Sequence, residues 1–131
     1  RCAAANSRSR FAFSFSNAGH NFPIVMPAAG GWRYLEEGGI PLGVWSEFAY
    51  PEASASLQAG DSLLLYTDGI TDARNRDGED YGDARLQALA TGMPRDFSAA
   101  QIVHAVAEDV SRFTGGADQA DDITLVALKT R

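Results

Sequence analysis

With 131 residues and a hydrophobic fraction of 45%, the chain has room for one domain with an ordinary core, and residues 1–131 read as a single unit. Its 17 acidic and 11 basic residues give a net charge of −6, with no stripe of Lys or Arg, which disfavours a nucleic-acid partner and an anionic membrane surface. No stretch reaches the roughly 20 apolar residues of a membrane helix, no signal peptide is visible, and the lone Cys2 excludes an internal disulfide, so a reducing, cytoplasmic setting is expected.

From Arg10 to Ser16, Phe11, Phe13 and Phe15 alternate with Ala12, Ser14 and Ser16. That period of two predicts a half-buried strand whose aromatic face points to a core rather than to a partner. Asn17 to Asn21 reads as a tight turn. Phe22 to Met26 is a second short strand, which Pro23 marks as an edge or irregular one. After the turn Pro27 to Gly31, Trp32 to Leu35 forms a third strand, and the pair suggests a hairpin. Glu36 to Gly43 is a glycine-rich loop, and Ser46 to Leu57 is a loosely alternating strand interrupted at Pro51.

Gln58 to Asp61 turns the chain into Ser62 to Thr67, which is apolar on both faces and so expected at the centre of a sheet covered on both sides. Helical patterning then takes over. Asp83 to Thr91, with Leu86 and Leu89, makes a short helix ended by Gly92 and Pro94. Ser98 N-caps a longer one in which Ile102, Val106, Val110 and Phe113 recur at helical spacing until Gly115-Gly116. A closing strand runs from Ile123 to about Lys129. The order predicts an α+β fold with a mostly antiparallel sheet and both helices on one face.

Two acidic corners carry the chemistry. Asp68-Gly69 follows the central strand, and Asp121-Asp122 precedes the closing one. If those strands are antiparallel neighbours, Asp68 and Asp121 converge at one sheet edge. Such carboxylates are either a repulsive pair or hard oxygen ligands for a divalent cation. Asp68 also has a plain reading as a helix N-cap, with a helical turn starting at Ile70. Strand geometry would point Asp122 away from Asp121, and Asp72, four residues after Asp68, reads as a surface acid in preference to an outer-shell one. His104 is expected on a helix surface and His20 in a turn with a backbone partner. Nothing around Cys2 looks activating, and no serine sits in a nucleophile elbow.

Four segments in register carry a resemblance: Asn17-Ala18-Gly19-His20-Asn21-Phe22-Pro23, Gly39-Ile40-Pro41-Leu42-Gly43-Val44, Leu57 through Asn75 around Thr67-Asp68-Gly69, and Gln119-Ala120-Asp121-Asp122-Ile123-Thr124. Together they resemble the stage II sporulation protein E branch of the PPM-type metal-dependent protein serine/threonine phosphatases. The resemblance implies an antiparallel β-sandwich flanked by helices. It implies that Asp68 and Asp121 are metal ligands, with two Mg²⁺ or Mn²⁺ ions expected in a complete domain and no covalent nucleophile. No catalytic role passes to His20.

The implied substrate is a phosphoserine or phosphothreonine on a regulatory protein such as an anti-sigma factor antagonist. Such domains carry a further Asp-Gly pair on early strands, and the four acids before Asp61 (Glu36, Glu37, Glu47, Glu52) lie in no such motif. The chain, which does not begin with Met, is therefore expected to be the C-terminal portion of the domain with about half of the metal site. Uncovered strand edges would favour self-association. A non-catalytic module that binds a phosphoprotein stays open beside the enzyme reading.

Overall fold

The computed structural model describes residues 10–119 and 121–131, so Cys2 lies outside the described residues. Among those described, the elements run β1 (Arg10–Phe15), β2 (Ile24–Met26), β3 (Arg33–Tyr34), β4 (Ala53–Gln58), β5 (Ser62–Tyr66), α1 (Gly82–Gly92), α2 (Ala99–Thr114) and β6 (Leu125–Lys129). The strands form a two-stranded sheet, β1-β4, and a four-stranded sheet in the order β3-β2-β5-β6, with every strand pair antiparallel.

Three layers result, and strand alternation sets them. On one face of the larger sheet, Val25, Leu63 and Leu65 meet Leu57, Ala55, Phe13 and Phe15 of the smaller one. On the other face Ile24, Met26, Leu64 and Tyr66 pack against Leu86 and Ala90 of α1 and Ile102, Val106 and Val110 of α2. Strand β5 is buried on both faces, as its unbroken apolar run requires. Burial of this kind stabilises by roughly 25 cal/mol per Å² of apolar surface removed from water, so the middle strand is the main organiser of both layers.

Local signals explain the ends of the elements. Ser98 caps α2 in a reciprocal box with Gln101, and Gly115 closes it in the left-handed conformation at φ 57°. Pro23 does not make β2 an edge strand as the sequence suggested. Strand β2 begins one residue later and lies between β3 and β5, so the missing N–H falls outside the ladder. The strand expected over Ser46 to Leu57 is confined to β4. Residues 41–48 instead make turns, with Val44 and Phe48 donating to the carbonyls of Pro41 and Trp45. The closing strand starts at Leu125 rather than Ile123.

The turn between β4 and β5 is tied down by Asp61, which is only 7% exposed. Its carboxylate accepts the N–H groups of Gln58 and Ala28, each at 2.8 Å, and so fixes this turn against the hairpin turn of β2-β3. Lys129 adds a second tie by donating to the carbonyls of Gly60 and Arg95. Where α1 begins, the buried Tyr81 donates its hydroxyl to Asp109 of α2 at 2.6 Å and meets Phe113 edge-on at 5.4 Å.

Part of the inner apolar layer is open. Val126 and Leu128 of β6 pair with Leu65 and Leu63 and share their face, but β1-β4 does not cover them. Both are 48% exposed, and Phe11, at the end of the predicted aromatic face, is 57% exposed. Phe11, Leu57 and Leu128 line a groove of about 450 Å³ there.

Two outcomes are expected. Burial and then the bond to Asp109 push the Tyr81 hydroxyl pKa up. The neutral form is the one the fold favours. Its stabilisation is therefore complete below the ordinary tyrosine value of about 10 and is lost as pH rises beyond it. Tyr81→Phe should cost about 1–2 kcal/mol at neutral pH and flatten the alkaline arm of a stability-against-pH curve from chemical denaturation. Separately, the 131-residue chain should self-associate through its open face. Sedimentation should show a concentration-dependent mass that Val126→Thr with Leu128→Thr reduces to the monomer's, whereas a wild-type monomer at high concentration would contradict this.

Candidate metal centre

The two acidic corners lie on adjacent antiparallel strands, because β5 pairs with β6 and Tyr66 stands beside Leu125. Beyond that last pair the strands stay fastened. The Thr67 N–H donates to Thr124 O at 3.2 Å, and the Thr124 N–H donates to Thr67 Oγ1 at 3.0 Å. Thr67 Oγ1 in turn donates to Asp122 O at 3.0 Å. One threonine hydroxyl thus bridges both strands a single residue before Asp68.

Gly69 completes the contact. A Cβ on it would lie 2.4 Å from Asp122 O and 3.4 Å from Asp121 O. Only a residue without a side chain lets the two backbones approach this closely. The Asp-Gly pair therefore has a packing reason independent of any turn preference.

The helix-cap reading of Asp68 does not hold. Residues 69–72 form a turn and not a helix. The Asp68 carbonyl accepts from Asp72 N at 2.8 Å and from Thr71 Oγ1 at 3.1 Å, while its carboxylate, at an exposed residue, takes no hydrogen bond among the described residues. Ile70 swings back into the core and is fully buried, which locks the turn with Asp68 on the outside. Asp121 is also exposed, and one of its oxygens accepts the Asp122 N–H at 2.7 Å. Since β6 begins only at Leu125, strand alternation does not govern residues 121–122. Asp72 is a surface acid, as expected.

The chemistry of this donor set can be judged directly. Two hard carboxylates, one with no protein partner and one with an oxygen to spare, suit Mg²⁺ or Mn²⁺, which keep several waters and need one or two carboxylates each. They do not make a full cage. Among the described residues no group of three or more His, Cys, Asp and Glu side chains is placed to hold an ion.

His20 stands at the same edge. Strand β2 runs antiparallel to β5 with Ile24 beside Leu64, so residues 17–23 arrive where Thr67 and Asp68 leave. The carboxamide of buried Asn17 grips His20 twice, accepting its N–H at 2.7 Å and donating to its carbonyl at 2.8 Å. The ring Nδ1 lies 3.0 Å from Asn21 O, the backbone partner foreseen for it. His104 is exposed on α2 beside Glu108, at 3.5 Å.

The sequence had not revealed the bridging role of Thr67. It is a contact between residues 55 and 57 positions apart, and only the strand register discloses it.

A family model described as stage II sporulation protein E (SpoIIE) matches residues 3–131. The chain belongs to that family. Protein IcfG of a Synechocystis species is 31% identical over 116 residues, which is 88% of this chain and 18% of that protein. Phosphoserine phosphatase RsbU of Bacillus subtilis is 30% identical over 67 residues, 50% of this chain and 20% of the relative. Among solved structures, the SiaA-PP2C domain of Pseudomonas aeruginosa superposes with a TM-score of 0.78 at 19% identity, covering 92% of this chain and 47% of that one.

The fold is therefore that of the PP2C-type (PPM) phosphatase domains, and the chain spans about a fifth of the length of the curated relatives it matches. The chain covers 92% of its own length in that superposition, so β1 to β6 all belong to the shared fold.

Gly69→Ala should destabilise by about 1–3 kcal/mol, since the added carbon must push the Asp122 backbone away. Gly92→Ala, at the end of α1 with open space around it, should be neutral or slightly stabilising. Thermal unfolding of the two variants checks the contrast, and equal effects would contradict the close approach.

Proposed function

We propose that this chain supplies the C-terminal part of a metal-dependent phosphatase centre that removes phosphate from serine or threonine on a regulatory protein, such as an anti-sigma factor antagonist, in the cytoplasm. The observation that carries the reading is the clamp of Thr67 and Gly69 against Asp122. It holds the two acidic corners beside each other on adjacent strands, where a divalent cation could draw on both carboxylates. Family membership supports phosphatase chemistry, and the name of the relative phosphoserine phosphatase RsbU suggests the phosphoserine class.

On this reading Asp68 and Asp121 are metal ligands and not nucleophiles. Bound Mn²⁺ or Mg²⁺ would supply a water activated at neutral pH and positive charge beside the phosphoryl oxygens. The chain's own contribution is to fix the two carboxylates on the rigid end of β5 and the start of β6. The incomplete donor set favours, for this chain taken alone, a second reading: a module that holds a phosphoprotein without turning it over.

The two separate cleanly in one assay, Mn²⁺-dependent hydrolysis of a phosphoserine peptide by the parent protein and by residues 1–131. The parent should turn over and the short chain should not. Asp68→Asn or Asp121→Asn in the parent should lower kcat/KM by more than about 100-fold, beyond the usual loss for an outer-sphere change, with circular dichroism unchanged. Robust turnover that survives Asp68→Asn would sink the metal assignment.

A further inference from the structure

The loop between β3 and β4 turns three large apolar side chains out to solvent. Leu42 is 75% exposed, Val44 69% and Trp45 63%. The rest of this loop is anything but loose. Pro41 O accepts the Tyr50 hydroxyl at 3.2 Å and the Val44 N–H at 3.4 Å. Phe48 and Tyr50 meet edge-on at 4.9 Å, and Gly39 lies so close on them that a Cβ would be 2.4 Å from the Phe48 ring. Gly39 also donates to Asn17 O at 2.8 Å. Gly19, at φ 84°, presses on Pro41, leaving no room for a side chain.

These contacts fasten the base of the loop to the Asn17 to His20 turn, and so to the sheet edge where Asp68 emerges. Aromatic residues that could have covered the loop's tip are spent on its base. A loop held this way orders little on binding, which lowers the entropic cost of association, and an exposed Trp with flanking aliphatics is the side-chain type that dominates binding energy at interfaces.

We propose that Leu42, Val44 and Trp45 form a docking surface for the folded phosphoprotein substrate, reading an apolar patch beside its phosphorylated residue. This rests on the phosphatase reading and adds to it where specificity resides. Charge narrows the partner's chemistry. Glu47 stands two residues from Trp45 and no Lys or Arg occurs between Arg33 and Arg74, whereas Glu36 and Glu37 line a separate cleft with Arg10 and Arg33. An apolar patch with a basic margin fits this loop, and an acidic margin is repelled.

The test uses the parent protein with Trp45→Ala and with Leu42→Ser. The probes are a folded, serine-phosphorylated anti-sigma factor antagonist and p-nitrophenyl phosphate. Each variant should raise KM for the folded protein at least about 10-fold, while kcat/KM for the small aryl phosphate and the thermal midpoint stay within error. Equal losses on both substrates, a lowered midpoint, or no loss on the folded protein would overturn the proposal, because each means the loop supports the fold or is covered by the rest of the parent.

Calorimetric titration of the same phosphoprotein without divalent metal decides the matter independently of turnover. Wild-type binding that weakens at least about 10-fold in Trp45→Ala supports docking, and equal affinity or no wild-type binding overturns it. A parent that binds through Trp45 yet hydrolyses neither probe would refute the phosphatase reading and leave the docking surface standing.

Discussion

The structure depends on how β5 ends. Its side chains fill both apolar layers, so the strand cannot slide or rotate without emptying one of them. One residue beyond its last pair, the Thr67 hydroxyl takes over from the ladder, donating to Asp122 O and accepting from Thr124 N. Gly69 then lies against the Asp122 backbone where any side chain would collide. Each of these groups is backbone or within two bonds of it, and so the relative position of the two acidic corners is set with little side-chain freedom. Ile70, returning to the core, closes the turn from the other side.

Such rigidity at a place that gathers negative charge is informative. Two carboxylates near each other in water repel weakly, and more strongly as water is excluded. Asp61 shows how the same fold treats a structural acid. Its oxygens are consumed by two backbone N–H groups, and the residue is buried. Asp68 is the opposite case, exposed with its carboxylate unspent. Within one chain, then, Asp61 is spent on holding the fold and Asp68 is not.

Much of this could be read from residue order. The double-sided apolar run Ser62 to Tyr66, the Ser98 cap and the Phe11 to Phe15 alternation each depend on one segment, and each appears where the pattern put it. The misreadings involve context. Pro23 looked like an edge marker because the pattern could not tell a proline inside a strand from one just before it. The segment 46–52 alternates loosely, yet Pro41, Phe48 and Tyr50 fold it onto a neighbouring turn. The two acidic corners were legible as a pair, since both flank strands. What fastens them was not, because the Thr67 bridge needs the β5-β6 register. Asp68 caps no helix because the one helical-type bond that follows it, from the Asp72 N–H to the Asp68 carbonyl, is not continued by a second.

The central claim is that Asp68 and Asp121 act on one cation. A double-mutant cycle on Mn²⁺ affinity tests it most directly, measured by calorimetry on the parent protein, its Asp68→Asn and Asp121→Asn variants and the double variant. Ligands of one ion are coupled, so the double variant should lose clearly less than the sum of the two single losses, by at least about 1 kcal/mol. Losses that add within about 0.5 kcal/mol, or single variants that bind Mn²⁺ as the wild type does, would contradict a shared site.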